Sequence, residues 1–133
     1  NADFTISSPS VLGPNVSLKD HKNKLIILDI WATWCPPCVK EIPHFISLQS
    51  TYKNNLQIIG ISVDEGTDTV RQFIKENKLN YPIIMSSPDL LSQFGEISGI
   101  PTTFILNRDH QVVQKVVGYR DLEYFTSLLD SLL

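Results

Sequence analysis

An α/β fold on a mixed β-sheet, with helices on both faces, is predicted by three features of this 133-residue chain. Two apolar runs, Leu25–Trp31 and Leu56–Val63, lack the alternation of a half-exposed strand and read as strands covered on both sides. Helical segments separate these runs from each other and from the next strand, which is the spacing of parallel crossover units. The C-terminal part then changes habit: two strands joined by a polar turn precede one last helix, adding antiparallel pairing to the sheet.

The elements follow in order. Asp3-Phe4-Thr5-Ile6 alternates as a short strand, and Pro9, Gly13, Pro14 and Asn15 mark a turn before Val16-Ser17-Leu18, predicting an N-terminal hairpin. After the first apolar strand, Cys38, Ile42, Phe45, Leu48 and Tyr52 recur at helical spacing. Pro36 and Pro37 suit that helix's first turn, and Pro43 is expected to kink it. Leu56–Val63 is the second strand, and 68–78 a helix with Val70, Phe73 and Ile74 on one face. Tyr81–Met85 is a third strand, with Pro82 near its start. Ser87-Pro88-Asp89 opens a short helix with a hydroxyl cap, a proline and an acid in the first turn, and Gly95 is expected to end it. Thr102–Leu106 and Gln111–Val117 flank the turn 107–110. Asp121 caps a final helix with Leu122, Phe125, Leu128, Leu129 and Leu132 on its apolar stripe.

At about 150 residues per domain, the length predicts one domain over residues 1–133. The chain is 42% hydrophobic and 19% charged, which excludes disorder and collagen-like repetition. A net charge of −3 without a basic run argues against nucleic acid or an anionic membrane surface as partner. No uncharged apolar stretch approaches the roughly 18 residues of a membrane span. The chain opens on Asn1 and its only methionine is Met85, so an upstream segment, whether signal peptide, membrane anchor or trimmed piece, is expected to have been removed.

Cys35 and Cys38 are the whole thiol inventory. A bridge between them closes so small a loop that it is a weak staple, and reactivity explains the pair better. They fall where the central strand gives way to a helix. Unpartnered N–H groups at a helix start stabilise a thiolate, the species that attacks a disulfide. Cys35 is therefore the candidate nucleophile at the exposed end, and Cys38, one turn deeper, the candidate resolving thiol. Pro36 and Pro37 carry no N–H, so two potential donors to the Cys35 sulfur are missing, which points to a reducing pair. Two carboxylates are candidate acceptors of the Cys38 proton. Asp29 interrupts the apolar strand, where burial raises a carboxyl pKa, and Glu41 lies at i+3 from Cys38 on the same helix. His21, His44 and His110 lack the paired spacing that a zinc site would need, and Val39 after the second cysteine excludes C-x-x-C-H haem attachment.

Trp31-Ala32-Thr33-Trp34-Cys35-Pro36-Pro37-Cys38, with Gly99-Ile100-Pro101-Thr102-Thr103-Phe104 downstream, resembles the thioredoxin superfamily, and most closely its TlpA/ResA-like thiol–disulfide oxidoreductases. The likeness covers nearly the whole chain. Ala2-Asp3-Phe4 and residues 16–20 resemble the N-terminal hairpin, 40–43 the segment after the motif, and 56–85 an inserted βαβ stretch before the cis-proline. The resemblance implies a thioredoxin-like fold, a Cys35–Cys38 redox disulfide, and a cis bond before Pro101. Trp34, Pro36, Pro37, Ile100 and Pro101 would then form the substrate-binding surface, with Ile100 offering its backbone to an extended segment.

It further implies a monomeric enzyme without metal or organic cofactor, reducing disulfides of exported, cysteine-containing proteins, with cytochrome c maturation among the roles. Its place would be extracytoplasmic or periplasmic, with anchoring through a removed N-terminal segment. A thiol protein, such as a membrane thiol transporter, would recharge it. Two departures stand out. Asp29 occupies a position where many TlpA/ResA-like members have asparagine and thioredoxins have aspartate. Thr102 follows the proline where cytochrome-maturation reductases often carry an acid. Two other readings of the cysteines are a peroxiredoxin-like thiol peroxidase and a noncatalytic module that binds a partner or a metal.

Overall fold

The computed structural model describes residues 4–133. Its first elements, β1 (Ser7–Pro9) and β2 (Asn15–Ser17), form an antiparallel hairpin followed by a 3-10 turn at Leu18–His21. The hairpin is present, but its first strand begins after Ile6 rather than at Asp3, which lies outside the described residues. The reason is local. Thr5 N–H donates to Gln93 Oε1 at 2.6 Å and Gln93 Nε2 donates to Thr5 O at 2.8 Å, so one side-chain amide occupies the backbone that a strand would have used. Phe4 instead packs edge-on against Phe94 and Phe104.

The chain continues through β3 (Leu25–Trp31), α1 (Pro36–Thr51), β4 (Leu56–Ser62), α2 (Thr67–Asn77), β5 (Ile83–Met85), α3 (Pro88–Ser92), β6 (Thr102–Leu106), β7 (Val112–Val117) and α4 (Leu122–Leu132). Five strands form one sheet in the order β5-β4-β3-β6-β7. β3, buried at every position, pairs in parallel with β4 and antiparallel with β6, while β4 pairs in parallel with β5 and β6 antiparallel with β7. The unbroken apolar run at 25–31 is thus the central strand, and its lack of alternation reflects cover on both faces.

The crossovers decide what covers each face. The steps β3-α1-β4 and β4-α2-β5 move the same way along the sheet, and right-handed connections that do so put both helices on one face. Leu25, Ile27 and Trp31 of β3 accordingly pack with Cys38, Ile42, Phe45 and Leu48 of α1, Val70 and Ile74 of α2, and Phe125 and Leu129 of α4. On the other face Ile26, Leu28 and Ile30 meet Leu90 of α3, Phe94, and the N-terminal residues Ile6, Val16 and Leu18. Asp29 shares the odd-numbered face of β3, so it points under α1.

Three local details sharpen the expectations. α1 runs through Pro43 to Thr51, because packing of Phe45 and Leu48 into the core outweighs one lost backbone bond. β5 begins at Ile83, leaving Tyr81 just outside the strand. α3 closes at Ser92 on a Gln93 cap, and Gly95 takes its positive φ of 73° further on.

Candidate active site

α1 begins where β3 ends. Cys35 is its N-cap residue, and the Cys38 N–H donates to Cys35 Sγ at 3.3 Å. Pro36 and Pro37 fill the first helical turn and donate nothing, so the Cys38 N–H is the one first-turn amide aimed at that sulfur. The two cysteines are joined as a disulfide. Cys35 keeps only 4% of its surface and Cys38 none, so the predicted exposed end is a narrow opening rather than a free thiol surface. Its rim is Trp34, 65% exposed, with Pro36 and Pro37 also exposed.

Across the opening lies the turn before β6. The Ile100–Pro101 peptide bond is cis, and the Ile100 carbonyl oxygen is 3.8 Å from Cys35 Sγ. Thr102 Oγ1 donates to Gly99 O at 2.6 Å and Gly118 N–H donates to Pro101 O at 2.8 Å, holding this turn between β6 and the segment after β7. Pro101 is buried while Ile100 is partly open, so the backbone ahead of the proline forms the second wall of the opening.

Asp29, on the face of β3 under α1, and Glu41, at i+3 from Cys38 on α1, are both without solvent exposure. Desolvation raises the Asp29 pKa well above the ordinary carboxylate range, and the neighbouring Glu41 charge raises it further. Burial raises Glu41 to about 7, opposed by the Arg120 N–H, which donates to Glu41 Oε2 at 2.9 Å, and by the Arg120 charge. The two candidate proton acceptors therefore occupy one buried region, and burial disfavours the charged form of both. The segment that supplies Arg120 is tied to α1 by His44 Nε2 and Tyr119 OH, 2.8 Å apart, with Lys40 Nζ 4.4 Å from the centre of the Tyr119 ring.

Sequence reasoning missed Asp64. Its carboxylate accepts from Thr33 N–H at 3.0 Å, from Thr33 Oγ1 at 2.5 Å and from Ser62 Oγ at 2.7 Å, while Val63 N–H donates to Trp31 O at 2.9 Å. The end of β4 thereby holds the Thr33-Trp34 turn from which Cys35 starts. A signal was present: an acid just after a parallel strand beside the central one sits at the carboxyl edge, where α/β sites assemble. Arg120 left no signal because its hydrogen bond to Glu41 is made by a backbone N–H, which any residue but proline carries, and its charge acts from a segment 79 positions away. Asp64→Ala is expected to lower stability by about 2 kcal/mol, since it strands two donors of Thr33, and to speed exchange of the Thr33 amide proton. Urea unfolding with amide-exchange NMR checks both effects.

A sequence profile described as the AhpC/TSA family matches residues 2–115. The thiol-disulfide oxidoreductase ResA of Bacillus cereus is 31% identical over 121 residues, covering 90% of this chain and 70% of that protein. A crystal structure of a thiol:disulfide interchange protein, a thioredoxin family protein from Chlorobium tepidum TLS, superposes with a TM-score of 0.94 at 31% identity, covering 99% of this chain and 95% of that one. The crystal structure of StoA from Bacillus subtilis gives 0.81 at 28% identity, covering 97% and 99%. A helix-capping cysteine pair set against a cis-proline turn, on a sheet shared with these proteins, makes this chain a thiol–disulfide oxidoreductase belonging to the AhpC/TSA family of the thioredoxin superfamily.

Proposed function

We propose that this oxidoreductase works as a disulfide reductase on exported proteins. In the reduced enzyme the Cys35 thiolate attacks one sulfur of a substrate disulfide, forming the mixed disulfide and releasing the other sulfur as a thiolate. Cys38 then loses its proton to a buried carboxylate and attacks Cys35 Sγ, forming the Cys35–Cys38 disulfide and freeing the second substrate sulfur. Two electrons pass to the substrate, and its two thiolates end as thiols. Glu41 is the acceptor of the Cys38 proton near neutral pH: it lies at i+3 from Cys38 on α1, and its pKa of about 7 leaves it partly ionised there.

The direction rests on one observation: a single helix N–H reaches Cys35 Sγ, because two prolines occupy the positions that would add more. A thiolate with fewer donors is less stabilised, the dithiol form is less favoured, and the pair gives up electrons more readily. Trp34 and the Ile100 carbonyl flank the sulfur and support binding of an extended, cysteine-containing segment between them. An extracytoplasmic setting, a membrane thiol transporter as electron donor and a role in cytochrome c maturation belong to the same reading, and the likeness to a thiol-disulfide oxidoreductase supports its exchange chemistry. Thr102 in place of an acid favours substrates broader than apocytochrome alone.

Equilibration of Cys35–Cys38 against glutathione or a reference dithiol tests the direction. The expected potential lies nearer the about −270 mV of a reducing thioredoxin than the about −120 mV of a dedicated oxidant. A value at the oxidising end overturns the reductase reading and leaves the exchange chemistry standing.

A further inference from the structure

Segment 118–120, between β7 and α4, bridges the two sides of the site with one hydrogen bond from each residue. Gly118 N–H donates to Pro101 O at 2.8 Å, Tyr119 OH lies 2.8 Å from His44 Nε2, and Arg120 N–H donates to Glu41 Oε2 at 2.9 Å. The first bond ties the segment to the wall of the opening, and the other two tie it to α1. His44 follows Glu41 at i+3, so both side chains leave α1 on one face and meet consecutive residues of the facing segment.

His44 and Tyr119 have no part in the chemistry above, yet both are half-buried. The Tyr119 ring centre lies 4.4 Å from Lys40 Nζ and 5.8 Å from the His44 ring centre, so two side chains of α1 fix where its hydroxyl points. No other hydrogen bond joins this segment to α1 among the described residues. The Arg120 guanidinium turns back instead, donating to Tyr119 O at 2.9 Å and Val117 O at 3.4 Å, and lies 5.7 Å from the Tyr124 ring centre of α4. Gly118 takes a φ of 92°, so the segment joins β7 through a residue of wide backbone freedom. A backbone N–H beyond such a joint stays on a carboxylate only when the segment is fixed elsewhere, because ordering the chain costs entropy that one bond barely covers.

We propose that His44 and Tyr119 are positioning residues of the proton transfer: their bond closes a clasp that holds the Arg120 N–H on Glu41 Oε2 and keeps that carboxylate fit to receive the Cys38 proton. The inference rests on the reading of Glu41 as acceptor. The titratable and charged groups around Glu41 are Cys38, Lys40 and His44 of α1, Asp29 of β3, Tyr81 ahead of β5, Tyr119 and Arg120 of the segment, and Tyr124 of α4 against Arg120. β4 and β6 carry none. No bond is made or broken at His44 or Tyr119. The proton passes from Cys38 to Glu41 while the clasp stays closed.

Two measurements on the full chain test this. In the oxidised chain the Arg120 amide proton resonance is followed against pH by NMR, which reads its bond to Glu41 directly. In the reduced chain a symmetric aromatic disulfide releases one chromophore on attack by Cys35 and a second on resolution by Cys38, so the pH profile of the second phase reads the proton transfer. Tyr119→Phe removes the hydroxyl and keeps the ring against Lys40. It is expected to raise both midpoints by about one pH unit and to speed exchange of the Arg120 amide about tenfold, because the carboxylate loses a firmly held donor. His44→Leu should give the same shifts, and the double variant no more than either alone, as expected of one shared bond. An Arg120 resonance that titrates as in the parent in both single variants, or shifts that add in the double, overturns the inference. A second-phase profile unmoved by either variant overturns it too. Glu41→Gln then separates the two claims: a displaced profile leaves the acceptor reading standing, and a parental one removes that reading as well.

Discussion

Cys35→Ser is expected to reduce disulfide exchange to background, a loss of at least about 10⁴-fold, because no second sulfur in the chain can reach a substrate through the opening beside Ile100 and Trp34. Cys38→Ser should behave differently. Its Cys35 thiolate still attacks, the resolving step is missing, and enzyme accumulates as a covalent complex that a reducing agent dissolves. Nonreducing electrophoresis or intact mass after mixing with a cysteine-containing substrate separates the two. Equal trapping by both variants would reverse or abolish the assignment of attacker and resolver. The asymmetry is expected because Cys38 is wholly covered and sits a turn inside the helix, whereas Cys35 caps it at the surface.

Glu41→Gln should make the protein more stable and the enzyme slower. A carboxyl held at about 7 in the folded chain against 4.5 when free binds its proton more tightly in the native state than in the unfolded one. Its stabilising contribution is complete below pH 4.5 and is lost as pH rises through about 7. Above that point the charged form costs the fold at most about 3 kcal/mol. Glutamine avoids the ionisation and can still accept the Arg120 N–H, so the variant should gain roughly 2 kcal/mol at pH 8 and nothing at pH 4. Urea unfolding at the two pH values, with both chains in the same redox state, measures the difference. Turnover at pH 7 should fall about 10²-fold or more, as expected when a general base is removed. A variant that is slower and also less stable at pH 8 would mean Glu41 acts through structure instead. Asp29→Asn should share the direction of the stability effect, since burial raises its pKa too.

Opposed effects of this kind, once measured, would describe a site maintained against the interest of the fold. Two carboxyls with no solvent exposure sit on the face of the sheet that also carries Trp31, Phe45 and Phe125, in a region where apolar side chains would pack more favourably. Asp64 shows the opposite economy. It is hydrogen-bonded on both oxygens and holds the turn that starts at Thr33, so it supports the geometry of Cys35 while also stabilising the chain.

Much of this molecule was decided by local pattern. The run 25–31 specifies a strand buried on both faces because every position in it but Asp29 is apolar, and Asp29 is buried with the rest. Cys35, Pro36, Pro37 and Cys38 determine a helix start with a sulfur at its cap, through the fixed φ of proline and the missing N–H groups. Only the tertiary structure decided which distant groups meet there. Arg120 bonds Glu41 through a backbone amide that carries no side-chain identity, Thr5 gave up its strand to a Gln93 amide 88 positions away, and Asp64 holds Thr33 across 31 positions. Contacts of this kind depend on strand order and register. Strand order and register are set by how two opposite faces of one sheet are covered together, and no local stretch of residues contains that information.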